Sequence, residues 1–455
     1  MKLKYNFTPS LLTVIVIFLF CLCTAHINKI WCGDGFSPFC YDSKQYYAYL
    51  PKFFLEHDMA FLNRGDYWLD ALPNGKPFVK YSSGLAMLQG PFFLLAWLYS
   101  NIFKIPLEGG YSQIFIEFIH YGVFIYFLLG LLSLRKVLQQ FQYSETVIAV
   151  TLLVTFFGTN LFHYILGQGF MTHGFLFSLH AMFLYITIKF YKKPNFSSSL
   201  LLGLVGGLIA LIRATEIICF IVWALWAVNS IESFKNRISL LVSNYKFLLA
   251  IALFFIIVWI PQLIYWHYVS GNLFIDAYAG EKLFFSDPKI YSVLFSTRNG
   301  LLPYCPVLFL YFVSLFTPNA NLKSRLGIVI FVGLNIYLVS CWWCWWYGGS
   351  YSMRALVQIY PYLAISFAGM LQYIYYRANI KKAFKYGLNF LILILVLLQM
   401  KFWYQNKKGF VHYDGMNTKA YLFILPRIEL NGHEKEIYYS LLKSPDYVKA
   451  KEGDR

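Results

Sequence analysis

The chain carries one apolar run of spanning length after another, and that repetition restricts it to very few folds. The first run covers about Ser10 to His26. Others start near Leu85, Ile114, Thr146, Phe170, Leu200, Ile217, Lys246, Leu301, Leu326, Ala355 and Leu388. That makes about twelve runs approaching the roughly 20 residues a helix needs to cross a hydrocarbon core. Inside lipid every backbone N–H and C=O must be satisfied within the protein, and continuous apolar runs of this length suit helices. Of the 455 residues, 59% are apolar and 13% charged, and the mean hydropathy is +0.55. A water-soluble fold would lack the polar surface to cover such a chain. The expected fold is an all-α polytopic transmembrane bundle of about 11–12 spans.

Charge supplies the topology. The formal net charge is +17, but Lys and Arg fall in short clusters between apolar runs rather than on one continuous basic face, which argues against nucleic-acid binding. The clusters are Arg135-Lys136, Lys192-Lys193, Lys235 to Arg237, Lys323 to Arg325 and Arg377 to Lys382. They follow alternate runs, as loops retained in the cytoplasm do. Residues 1–27 then read as an uncleaved first span with its N-terminus inside, and residues 28–84 as a large first extracytoplasmic loop. Residues 85–401 hold the remaining spans, and residues 402–455 form a small outer tail with little core of its own. One conflict arises, because a full crossing by Leu85 to Phe103 would put Arg135-Lys136 outside. A re-entrant or shallow run there removes it. Aromatics, at 21% with 37 Tyr, 45 Phe and 12 Trp, suit helix ends at the two interfaces.

The cysteines follow no metal spacing. Cys341-Trp342-Trp343-Cys344 sits at a membrane boundary, where packing is the simpler reading than redox chemistry. A Cys32 to Cys40 disulfide is compatible with an outer loop. No P-loop or glycine-rich dinucleotide fingerprint occurs, and no cofactor or metal is called for.

Residues with chemistry to offer concentrate in the outer segments. The first loop holds Asp34, Asp42, Glu56, Asp58, Asp66 and Asp70 with Tyr46, Tyr47 and Tyr49. Outer loops need solvated charges, which accounts for any one of these acids. Asp42, however, stands one helical turn before Tyr46-Tyr47, so acid and aromatic would share a helix side, as a carboxylate beside a sugar ring would. Such a carboxylate can accept or orient the proton of an attacking hydroxyl. Lys80, in Lys76-Pro77-Phe78-Val79-Lys80-Tyr81-Ser82-Ser83-Gly84, falls at headgroup depth, where it either snorkels or neutralises a phosphate. Arg354 ends the stretch from Trp342 to Met353 and opens the next apolar run, a costly position for an arginine without a partner. A phosphate fits its planar fork. Arg298 is a further outer cation before Leu301 to Pro306. Arg213 and Glu216 read as a buried ion pair, and His173 as an interfacial histidine or a substrate contact.

These residues resemble the GT-C superfamily of membrane glycosyltransferases, especially its protein mannosyltransferase and aminoarabinose transferase branch. The likeness lies in Asp-x-x-x-Tyr after the first span, Lys-Tyr-x-x-Gly leading into the next, an outer Arg after a Trp-rich stretch, and ten or more spans. The resemblance implies a polyprenyl-phosphate sugar donor, an essential acid in the first outer loop and inversion at the anomeric centre. It matches Asp42 to the acid, Lys80 to the phosphate-facing lysine and Arg354 to an arginine near the carrier phosphate. From position alone, Arg298 joins the cations expected to bind the carrier phosphate, and Tyr46, Tyr47 and His173 are the expected substrate contacts. Where the family has Asp-Glu and Lys-Pro-Pro, this chain has Asp42-Ser43 and Lys80-Tyr81-Ser82, which leaves Asp34 and Asp58 open as the acid.

The expected function is transfer of a sugar from a polyprenyl-phosphate carrier in the membrane lipid to a glycan, lipid or protein acceptor. The expected site is the outer face of a bacterial cytoplasmic membrane, since no endoplasmic-reticulum retention signal ends the chain. The rival is a transporter or flippase of lipid-linked glycans, which would carry ionisable groups deep in its spans.

Overall fold

The computed structural model describes residues 7–28, 39, 41–61, 69–72, 74–278, 280–317, 325–376 and 380–455. Asp34, Cys32, Cys40 and Asp66 lie outside them, so the readings on these four fall outside the described residues. Among the described residues the only sheet is a two-stranded hairpin, β1 (Asp70–Ala71) antiparallel to β2 (Pro77–Phe78). Everything else that is regular is helical. The first half comprises α1 (Pro9–Asn28), α2 (Tyr41–Phe54), α3 (Gly84–Phe103), α4 (Gln113–Gln140), α5 (Glu145–Phe157), α6 (Leu161–Leu166), α7 (Thr172–Lys192) and α8 (Phe196–Ile212). The second half comprises α9 (Cys219–Ala224), α10 (Ile231–Ser243), α11 (Tyr245–Ser270), α12 (Ile290–Phe295), α13 (Leu301–Tyr304), α14 (Leu308–Ser314) and α15 (Arg325–Cys341). A 3₁₀ segment (Arg354–Ile359) leads into α16 (Tyr360–Tyr376), followed by α17 (Lys382–Lys407), α18 (Thr418–Ile424), α19 (Gly432–Leu441) and α20 (Tyr447–Glu452).

Among the described residues seven helices are long and apolar enough to cross a membrane, and four shorter apolar ones accompany them. The protein is an all-helical polytopic membrane bundle. The run from Leu301 does not form one continuous helix, because Pro303 and Pro306 break it into α13 and α14 around Cys305. Proline removes a ladder donor and clashes with the preceding turn. Packing between α8 and α11 uses a small-residue face. A Cβ at Gly203 would stand 2.5 Å from the Ile251 carbonyl oxygen, and one at Gly207 3.1 Å from that of Phe255. Glycines four apart let the two backbones meet where side chains would hold them off.

The contacts also orient the bundle. The 28 residues of α4 extend about 42 Å at 1.5 Å per residue, so its ends define the two ends of the bundle. At the Gln140 end, Arg135 bonds to Ser10 (2.6 Å) and Thr8 (2.9 Å) at the start of α1, and Lys192 bonds to Gln140. There too Arg237 lies over the Tyr191 ring, Gly327 next to Arg325 faces Leu225, and Gln372 accepts from the Ser144 amide that opens α5. The described members of the basic clusters thus gather at one end, the arrangement the positive-inside rule describes; Lys323 and Arg377 lie outside the described residues.

The same contacts settle how α3 lies. Its first residue, Gly84, abuts Ile212 at the far end of α8, and Ser82 donates to the Leu211 carbonyl. Just after α3, the Gly110 carbonyl accepts from Tyr47 of α2 (2.6 Å) beside the start of α4. Both ends of α3 are therefore at the Gln113 end; between them Phe93 and Tyr99 pack on Phe115 and Phe118, and Phe92 reaches Tyr126, all within the first half of α4. Although long and apolar enough to cross, α3 lies across one end of the bundle. That shallow course leaves Arg135 with the other basic residues.

The C-terminal segment departs from expectation. It has an apolar cluster of its own, in which Phe410, Met416, Ile424 and Tyr438 close on Phe402, Tyr304 and Tyr351. The bundle supplies three of its ten buried members, Tyr304, Tyr351 and Phe402, and local periodicity after Lys401 does not announce the cluster. Its last residue, Arg455, donates to the carbonyls of Cys341 (3.1 Å) and Trp342 (3.0 Å), fastening the tail to the Trp-rich stretch.

Candidate active site

Asp42 stands in the first turn of α2, where the helix dipole favours an acid. Its two carboxylate oxygens have different partners. Tyr81 donates its phenol to Oδ1 at 2.8 Å, and Nη2 of Arg354 approaches Oδ2 at 3.3 Å. The same nitrogen donates to the Gly348 carbonyl at 3.2 Å. The Arg354 side chain is 13% exposed and that of Asp42 31%, so the pair is sheltered yet open on one side. Three segments far apart in the chain meet here.

Each partner is set by its own surroundings. Tyr81 ends the hairpin strap that follows β2. Its ring stacks on Tyr46 with centroids 4.4 Å apart, and its carbonyl accepts from Tyr49 at 2.7 Å. The strap is tied to α11 by the Val79 amide on Tyr265 Oη (3.1 Å) and the Ser83 amide on Gln262 (2.7 Å). Burial, and after it the charge of Asp42, pushes the Tyr81 phenol far above its usual range, so it serves as a donor.

Arg354 is held by backbone under constraint. Tyr347 (φ 47°) and Ser352 (φ 56°) both take left-handed backbone, which few non-glycine residues adopt. Gly348 is needed for a different reason, since a Cβ there would stand 2.2 Å from Tyr447 Oη of the C-terminal segment. Beneath, the Ala355 carbonyl accepts from Arg213 (3.0 Å) and Gln358 (2.6 Å). Gln358 also donates to Glu216 (2.8 Å) and Asn335 (3.0 Å).

The remaining sequence candidates divide. Lys80 pairs with Glu281 and lies 4.8 Å from the centroid of Tyr278, so the first loop meets the 266–300 loop at that point. Tyr47 is fully buried against Gly110 and serves packing. Asp58 and Glu56 approach buried Lys52 at 3.4 and 2.5 Å. Arg298 turns away to the Lys443 carbonyl (3.0 Å) and the Trp346 ring. His173 is buried against Tyr164, whose phenol donates to the Tyr351 carbonyl, and neither of its ring nitrogens has a hydrogen-bond partner. The expected Arg213–Glu216 pair does not form: Arg213 reaches the Ala355 carbonyl, while Glu216 faces Gln358 and His180. Cys341 and Cys344 are unbridged and buried. Among the described residues no group of three or more His, Cys, Asp and Glu is placed to hold a metal ion.

No known protein family and no curated protein matches the sequence. Among solved structures the chain is similar to the archaeal oligosaccharyltransferase AglB from Archaeoglobus fulgidus, determined with an inhibitory peptide and a dolichol-phosphate. Identity is 14% and the TM-score 0.48, over 96% of this chain and 60% of that one. The chain thus spans less than two thirds of the length of that protein.

Sequence reasoning passed over Tyr81 as a partner of Asp42, and Glu281 and Tyr278 as partners of Lys80. Tyr81 adjoins Lys80 in the motif, so its place was available. Nothing local marks Glu281, which stands 201 residues from the lysine it meets.

Proposed function

We propose that the protein transfers a glycosyl group from a polyprenyl-phosphate carrier to an acceptor hydroxyl or amine, as a GT-C-type enzyme of the membrane. The observation that carries this reading is the Asp42–Tyr81–Arg354 constellation at the end of the bundle opposite the basic clusters. By the positive-inside rule that end faces away from the cytoplasm, and a bacterial cytoplasmic membrane fits it. Asp42 accepts the acceptor's proton as its oxygen or nitrogen bonds to the anomeric carbon. The carbon–oxygen bond to phosphate breaks with inversion, and the electron pair leaves on the carrier phosphate. Tyr81 aligns the carboxylate. Arg354 and Lys80 stabilise the charge that develops on the leaving phosphate. For that, Lys80 must exchange Glu281 for phosphate, and Arg354 offers the part of its fork not turned to Asp42.

Movement of a lipid-linked glycan across the membrane is the second reading. One observation favours it: His120, His163, His173, His180 and Glu216 are buried inside the bundle. Detergent-solubilised protein separates the two. With no compartment to cross, an enzyme still converts polyprenyl-phosphate sugar and acceptor into glycoside and free polyprenyl phosphate, detected by mass spectrometry. A transporter leaves the donor intact, and that result across a broad donor panel overturns the enzyme reading.

A further inference from the structure

The basic end of the bundle, far from Asp42, holds a cavity of about 670 Å³ whose lining includes Gln140, Lys192, Trp226, Asn236 and Arg237, and no acidic side chain. We propose that it binds the phosphate headgroup of an anionic phospholipid. The first argument is the orientation of α10. At 100° per residue, Ile231, Phe234, Ile238 and Val242 form one face of this helix, and all four are exposed, Ile231 at 79% and Val242 at 65%. The opposite face, with Ser233, Asn236 and Arg237, lines the cavity. A water-soluble protein turns the apolar stripe of a surface helix inward. Here the stripe points out, which suits a helix lying in the interface with that face in the acyl region. The cavity behind it is then at headgroup level.

The second argument is the state of Arg237. Its guanidinium lies 3.4 Å from the centroid of Tyr191, Nη2 donates to the Trp226 carbonyl, and Nε is buried without a hydrogen-bond partner. The half-buried guanidinium thus lines the cavity with donor capacity unused by the protein, and phosphate oxygens are strong acceptors for it. Lys192, exposed at the rim and bonded to Gln140, adds the second cation, and Lys193 and Lys235 extend the positive field. Free phosphate shares this chemistry, but the outward stripe of α10 sets the helix in the membrane interface, where lipid headgroups are the phosphates at hand.

Native mass spectrometry of the detergent-solubilised full chain tests the assignment, using phosphatidylglycerol, phosphatidylcholine and inorganic phosphate as separate probes. Wild type is expected to retain phosphatidylglycerol in preference to phosphatidylcholine, with retention falling roughly fivefold for each basic residue removed in Lys192→Gln and Arg237→Gln. Arg237 also packs on Tyr191. Lys192→Gln therefore keeps the test valid where Arg237→Gln fails to fold. Equal retention of the two lipids, or retention unchanged in Lys192→Gln, overturns the proposal. Displacement of phosphatidylglycerol by inorganic phosphate alone overturns the lipid as its source.

Discussion

Replacing Tyr81 with Phe deletes one oxygen and little else. The ring keeps its stack on Tyr46, and the backbone keeps its bond from Tyr49. What is lost is the 2.8 Å donation to Asp42. A hydrogen bond to a charged group contributes about 1.5–3 kcal/mol, but Asp42 is 31% exposed and water replaces part of it, leaving a stability loss of about 1 kcal/mol. With the carboxylate no longer aligned from one side, kcat/KM for transfer is expected to fall about tenfold, equivalent to roughly 1.4 kcal/mol. In an Asp42→Asn background the same change should have little further effect, because the group it aligns is gone. The stabilisation also has a pH signature. The phenol is raised in the fold from an ordinary value of 10.0, so its contribution is complete below about pH 10 and declines as the unfolded chain ionises above that. Steady-state transfer kinetics and thermal unfolding in detergent measure these effects. Unchanged kcat/KM in Tyr81→Phe, or losses that simply add in the double variant, would refute the alignment of Asp42 by Tyr81.

Other outcomes follow from neighbouring contacts. Gly348→Ala drives a methyl into Tyr447 Oη at 2.2 Å and should destabilise the protein by about 1–3 kcal/mol. Adding Tyr447→Phe should recover part of that in thermal unfolding, and no recovery would contradict the clash. Asp58→Asn weakens the pairing of buried Lys52 and is expected to cost about 1–3 kcal/mol while leaving transfer per folded molecule intact. Abolished transfer would make Asp58 the acid. Lys80→Gln should raise KM for the carrier about tenfold, the loss of roughly one charge-assisted contact, with kcat less affected. A kcat effect with KM unchanged would remove Lys80 from carrier binding.

Much of the architecture was readable because lipid leaves the chain few choices. The long runs at α4, α7, α11 and α17 become helices, and the described basic residues of the clusters collect at one end. What escaped reading depends on contacts between distant segments. The shallow course of α3 was legible only indirectly, through the placement of Arg135-Lys136, because its composition matches that of a span; the contacts that set it are Gly84 on Ile212 and Gly110 under Tyr47. The C-terminal core borrows Tyr304 and Tyr351 from the bundle. Asp42 and Arg354 were visible singly, an acid one turn before tyrosines and an arginine too costly to leave unpaired in lipid. Their meeting, 312 residues apart, has no local signature. Arg213 and Glu216 misled because sequence proximity suggests pairing, whereas the extended backbone at Arg213 (φ −147°) sends its side chain to Ala355.

The most direct measurement compares wild type with Asp42→Asn at matched levels of folded protein, offering each a panel of polyprenyl-phosphate sugars with hydroxyl and amine acceptors. Wild type is expected to form glycoside and release polyprenyl phosphate, while Asp42→Asn, which keeps the shape of the side chain and loses its proton acceptor, forms product at least a hundredfold more slowly. Equal product formation by both would contradict the assignment of Asp42 as the acid that activates the acceptor.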